Sequence, residues 1–299
     1  MNNKRRLFST LLCVAALTAG LFVSGCGSDK AGGIGSVVSS VVDGGSDEKA
    51  AAKLNTLIDA TNRFNGDNAT WGQNYADSLA KLKGGFQEGA IGRQPHYDTL
   101  KEALEQSKKE GSTFKEVDTE RDNVLNVLNE LVPTFKDLKA YDDSKAYMND
   151  GGAKGKELAA KYVAQVEKFD AAYAKFNDAL NKANTEQTKK QIEKLKKDGK
   201  KGYAAAMEST LRLTTLVENV EKAPKNADKQ AVEKELNEIQ TLLKSINNDR
   251  GEVLVNSYNS VVGSVRQVLN DANENNLNDM IENFNNYIES YNNTTPDQF

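Results

Sequence analysis

Cysteine, histidine and tryptophan are nearly absent from this chain, whose 299 residues include two cysteines, one histidine and one tryptophan. The cysteines are Cys13 and Cys26, both close to the start. No disulfide can form beyond them, so packing has to hold the body of the protein together. With His96 as the only imidazole, the composition argues against a His-based zinc, iron or copper site, and a serine or cysteine triad would need that one ring. No stretch alternates apolar and polar residues over a useful length, which excludes strands as a major component. Lys and Arg number 39 against 43 Asp and Glu, for a net charge of -4. That is a solubilising balance and not one that binds nucleic acid.

The first residues hold the clearest signal. Lys4-Arg5-Arg6 precedes the apolar run from Leu7 to Phe22, and Val23-Ser24-Gly25-Cys26 follows. This is a secretory signal that ends in a cysteine, and it resembles a bacterial lipobox. In that motif the signal is cut just before a cysteine that already carries diacylglycerol. Residues 1–25 are then a signal peptide, and Cys26 is the acylated N-terminus, bearing palmitate-type chains. Leu17 and Thr18 spoil the small-residue spacing of an ordinary cleavage site. The apolar run, at about 16 residues, falls short of the roughly 20 that span a bilayer. Two or more acyl chains, at about 0.8 kcal/mol per buried methylene, hold a protein on a membrane. Gly27 after the cysteine points to the outer membrane if the host is Gram-negative. Losing Lys4, Arg5 and Arg6 makes the remaining chain more acidic still.

Residues 26–47 are rich in Gly and Ser with no helical period, and read as a flexible tether reaching roughly 25 Å. The pairs Val37-Val38 and Val41-Val42 could pack on the domain or the membrane. Beyond residue 47 the apolar positions step by four and three, which turns one face of a helix toward a partner. The best run is Tyr162, Val166, Phe169, Tyr173, Phe176, Leu180 and Ala183. Another runs from Phe114 to Leu138, interrupted by Arg121. Leu254 to Ala272 continues the theme, and the last set is Leu277, Ile281, Phe284, Ile288 and Tyr291. The fold class is therefore all-α, an elongated antiparallel helical bundle over 48–293, with a tail at 294–299.

Gly84-Gly85, Gly89, Gly92, Gly111, Gly151-Gly152, Pro224 and Gly251 punctuate these helices. Pro133 sits inside an apolar run and predicts a kink. Residues 184–202, mostly Lys, Gln and Glu, read as a solvated helix extension or exposed arm. Leu54 to Asn62 echoes Leu277 to Asn285, either because the first and last helices are neighbours or by coincidence.

Few segments invite chemistry. Asn149 to Glu157 lacks the glycine and hydroxyl of a phosphate loop, and Ala146 and Met148 stand where a calcium loop needs acids. A helix break accounts for it. Asp142-Asp143, and Asp118 with Glu120 and Asp122, are neighbours expected on wet helix faces rather than a catalytic dyad. Trp71 with Tyr75 could form a binding edge, and His96 reads as a surface residue. The aromatic residues Tyr162, Phe169, Tyr173 and Phe176 could line a ligand groove, although their spacing also suits a core.

From Tyr141-Asp142-Asp143-Ser144-Lys145-Ala146-Tyr147, through Asp150, to Ala153-Lys154-Gly155-Lys156-Glu157-Leu158, the chain resembles the YiiG-like bacterial lipoproteins. That family is built on a domain of unknown function. The segment Leu54 to Asn62 is similar to its opening helix, and the resemblance spans about residues 50–292. It implies a helical lipoprotein of the cell envelope and supplies no activity. It marks Tyr141, Tyr147, Asp150, Lys154 and Gly155 as candidates for a shared feature. The family segment opens on an aromatic pair where this chain has Ala140-Tyr141. The expectation is a membrane-anchored, non-catalytic binding or scaffold protein of the envelope, without cofactor or metal, attached through its lipid and meeting an envelope protein partner. The alternative is a lipoprotein that binds a small ligand in the aromatic groove.

Overall fold

The structure, a computed structural model, describes residues 46–69, 72–92, 94–111, 114–294 and 298–299. The signal, Cys26, residues 27–45 of the tether and Trp71 lie outside them, and Ser46 and Asp47, read from sequence as the end of the tether, begin the first helix instead. The described residues form helices and no strand: α1 Ser46–Ala69, α2 Gly72–Lys83, α3 Tyr97–Lys109, α4 Lys115–Asp143, α5 Tyr147–Asp150, α6 Ala153–Lys197, α7 Lys201–Lys222, α8 Lys229–Lys244, α9 Asp249–Asn270 and α10 Glu274–Asn292. The all-α bundle expected from the spacing is what the chain forms. Where the sequence suggests one bundle over 48–293, the chain divides into two compact units at Ala183/Asn184.

In the first unit α1 packs on α3 and α3 on α4. Lys53 reaches the Glu110 carbonyl at one end of the α1/α3 pair, and Phe64 lies 5.9 Å from Tyr97 at the other, so the two run antiparallel. α4 and α6 are antiparallel as well. Glu116 pairs with Lys182 at 2.7 Å, and the Phe135 and Tyr162 rings meet at 5.6 Å further along. The apolar steps of α4 and α6 become the core: Val124, Leu128, Leu131, Tyr162, Val166, Phe176 and Leu180 are fully buried. α4 runs unbroken through Pro133, and the Thr134 hydroxyl donates to the Glu130 carbonyl at 2.9 Å in the same turn.

In the second unit α7 packs on α8, α8 on α9, α9 on α10, and α10 returns to α7. Arg212 joins Glu235 across the first pair at 2.6 Å and Arg266 joins Glu233 across the next at 2.7 Å. The Thr210 and Tyr287 hydroxyls, 3.0 Å apart, close the ring. Short polar side chains start these helices by accepting orphan N–H groups: Asp228 from Gln230 and Ala231, Asn248 from Gly251, and Asn273 from Asn276.

Two expectations change. Residues 184–202 are not a solvated arm: Asn184, Thr188, Ile192 and Leu195 form a buried stripe of α6 in the second unit, packed on Tyr203, Ala204 and Met207. One inward residue per turn suffices, and the lysines take the wet side. In α10 the deepest positions are Met280, Phe284, Tyr287 and Tyr291, with Leu277, Ile281 and Ile288 flanking them half-buried.

Candidate functional site

The segment singled out by sequence folds into one junction. α4 ends at Ser144, Lys145 takes a left-handed φ of 53°, and four-residue α5 stops at Gly151, where φ is 63°. Asp150 ties the break together. Its Oδ1 accepts the Tyr141 hydroxyl at 2.5 Å and the Gly152 N–H at 2.9 Å, while Oδ2 accepts the Lys154 N–H at 3.1 Å. A carboxylate on free N–H groups at the start of α6 is favoured by hydrogen bonding and by the helix dipole. The Tyr141 hydroxyl, then the backbone N–H groups, hold its carboxyl below the usual range. The Tyr141 hydroxyl is pushed up by burial and by that bond.

The remaining members sit around this clamp. Phe86 packs edge-on against Tyr141 at 5.1 Å and tilted on Tyr147 at 5.8 Å. Gly155 faces the same rings: a Cβ there would stand 2.5 Å from Tyr141 Cε1 and 2.6 Å from Phe86 Cγ. Tyr147 is half-buried, and its interaction with Glu88 pushes its hydroxyl up to about 12. Lys154 joins through its backbone, with its side chain exposed. So Tyr141, Tyr147, Asp150 and Gly155 do converge, and their arrangement fastens a helix turn. Phe86, their hub, was not among the sequence candidates, although a glycine inside a helix is the usual mark of a close approach.

The proposed groove is filled. Tyr162 and Phe176 are 0% exposed, Phe169 3% and Tyr173 9%. Phe169 and Tyr173 stack at 5.2 Å, with Phe64 and Tyr97 edge-on against them. Their hydroxyls are engaged as well: Tyr173 donates to Asn65 at 2.8 Å, and Tyr162 to Gln94. The residues meant to line a groove are core, because rings from α1 and α3 complete the cluster.

A hydrogen-bonded cluster of polar side chains adjoins this core. The Tyr75 and Tyr97 hydroxyls are 2.8 Å apart, and Ser78 holds the chain at Ala90 and Gly92 by donating to the Ala90 carbonyl at 2.7 Å and accepting the Gly92 N–H at 2.9 Å. Burial, and then the Asp170 charge, push the Tyr75 hydroxyl up, and burial pushes the carboxyl of half-buried Asp170 itself up to about 6, with Lys83 opposing and Glu167 assisting. A carboxyl whose folded-state pKa is raised above its unfolded value favours the folded state below that unfolded value, and the benefit is lost as pH rises through about 6. Asp170→Asn is therefore expected to stabilise the chain at pH 7.5 by about 1–2 kcal/mol, after discounting for partial exposure. The gain shrinks toward zero at pH 4, and thermal melts at both pH values check it.

Of the other acidic neighbours, Asp118, Asp122 and Asp143 are tied to cations, and Glu120 accepts the Asn123 amide at 3.0 Å. Arg121 binds Asp118 and Asp122, and Lys139 binds Asp143. Exposed His96 precedes the first turn of α3 without capping it through its side chain. Among the described residues no three His, Cys, Asp or Glu side chains converge as metal ligands.

One family matches the chain over residues 48–283, described as "Protein of unknown function (DUF3829)". No curated protein and no solved structure matches.

Proposed function

The chain belongs to the DUF3829 family of proteins of unknown function, and from that premise we propose that it is a lipid-anchored envelope protein acting without catalysis, as a scaffold or binding partner. The observation that carries the reading is the run of Lys4-Arg5-Arg6, sixteen apolar-rich positions and Cys26. The anchor is the acylated Cys26, and the Gly/Ser segment after it is the tether. The similarity of Tyr141 to Leu158 to YiiG-like lipoproteins supports the same placement. No described helix is long and apolar enough to cross a membrane. A structural use of the distinctive side chains fits the non-catalytic reading: the clamp at Asp150 and the aromatic seam build structure, and Asp118, Asp122 and Asp143 are paired with cations. The groove reading loses its lining to the core.

The test is chemical. In cells fed a labelled fatty acid, the wild-type chain is expected to lose residues 1–25, carry label on Cys26 and sediment with membranes. Cys26→Ser should take up no label. A mature wild-type start elsewhere, without acyl mass, sinks the anchor. Pull-down from solubilised membranes tests the rest, and recovery of no specific envelope protein counts against a binding role.

A further inference from the structure

The second unit holds a short piece of its own chain in the manner of a bound peptide. Phe299 packs partly buried against the cluster Ile192, Leu195, Tyr203, Ala204 and Met207, with its ring 5.5 Å from that of Tyr203. Under it lies Gly202, in the first turn of α7. A Cβ there would stand 3.2 Å from the Phe299 Cβ and 3.3 Å from its carbonyl carbon, so the missing side chain is what lets the backbone come close. One residue earlier, the Gln298 carbonyl accepts the Asn248 Nδ2 at 2.9 Å. The Asn248 Oδ1 accepts the Gly251 N–H at 2.9 Å, so capping of α9 fixes the amide with its donor toward the segment.

We propose that this notch is a peptide-binding site. An aromatic shelf, a glycine floor and an oriented amide recognise a short segment of a partner protein in which an aromatic residue directly follows an accessible backbone carbonyl. Gln298–Phe299 is the internal occupant that such a segment displaces. The contacts read one ring and one carbonyl, so chemistry and not extended sequence selects the ligand. One partly buried ring and one neutral hydrogen bond are each worth about tenfold in affinity, an occupancy that a competing segment overcomes by mass action. The site lies within the second unit and does not depend on acylation of Cys26.

The experiment uses the full chain carrying Phe299→Ala, which vacates the shelf, and a fluorescent peptide with the sequence Asn293 to Phe299. Anisotropy should show saturable binding, about tenfold tighter than to the wild-type chain, whose shelf is occupied. A peptide with alanine in place of its phenylalanine should bind about tenfold more weakly. Adding Gly202→Val to the Phe299→Ala chain should abolish binding. No saturable binding by a Phe299→Ala chain that still melts cooperatively overturns the proposal. Equal binding of the alanine peptide, or binding that survives Gly202→Val, overturns it too. If the wild-type chain dimerises and Phe299→Ala does not, the segment exchanges between copies and the partner reading falls.

Discussion

Gly155→Val lowers stability by about 3 kcal/mol and the melting temperature by roughly 10 °C, the expected cost of overpacking where no neighbour can retreat. Alanine, whose better helix propensity offsets part of the clash, costs about 1–2 kcal/mol. The clash is with both rings of the junction: the first added carbon would stand 2.5 Å from Tyr141 Cε1 and 2.7 Å from Phe86 Cδ1. Tyr141 cannot swing away without giving up its bond to Asp150, and with it the clamp at the start of α6. Phe86 is wedged between Tyr141 and Tyr147. The control is Phe86→Ala, which by itself leaves a cavity and costs about 3 kcal/mol. Combined with Gly155→Val it makes room for the new methyls. The double variant should then lose at least 1 kcal/mol less than the two single losses added. Simple additivity, or a Gly155→Val melt that does not move, would show that the rings accommodate a side chain there.

What could be read from the linear chain was the local part. The steps from Tyr162 through Phe176 to Leu180 correctly identify the buried face of α6, because helix geometry alone carries residues three and four apart onto one side. What covers that face is non-local. Phe64 and Tyr97 arrive from helices more than sixty residues away, and without them the same aromatic row reads equally as a groove or a core. The unit boundary was hidden for a related reason. It falls within α6, between Ala183 and Asn184, where no glycine or proline interrupts the helix. Ile192 and Leu195 are the only large apolar residues between 184 and 202, yet with Asn184 and Thr188 they make a complete inward stripe. At the junction, sequence picked Tyr141, Asp150 and Gly155, which do meet. It could not supply Phe86, which enters from a glycine-rich loop with no period to follow.

Arg121→Ala is expected to cost about 3 kcal/mol, more than any surface ion pair in this protein, because the guanidinium is inside. Its side chain is 6% exposed, and it donates through Nη1 to Asp118 at 2.7 Å and through Nε to Asp122 at 3.1 Å. Lys108 of α3 reaches the same Asp122 at 3.0 Å, so the cluster ties α3 to α4. Burial raises the Asp122 carboxyl, but bonds from Lys108 and Arg121 outweigh it and leave the group below its usual value. Truncation opens a cavity and strips Asp118, itself only 15% exposed, of its guanidinium. Methionine keeps the apolar stem and should lose about half as much. Lysine keeps the charge without the planar fork, and falls between the two. A depressed carboxyl contributes stability above its unfolded pKa and loses it as pH falls through the folded value. The gap between wild type and Arg121→Ala should therefore be widest near neutrality and should narrow below about pH 4, the range where free carboxyls take up protons. Urea melts at pH 7 and pH 3.5 measure the gap directly. A gap that stays constant would assign the whole loss to the cavity and none to the ion pairs.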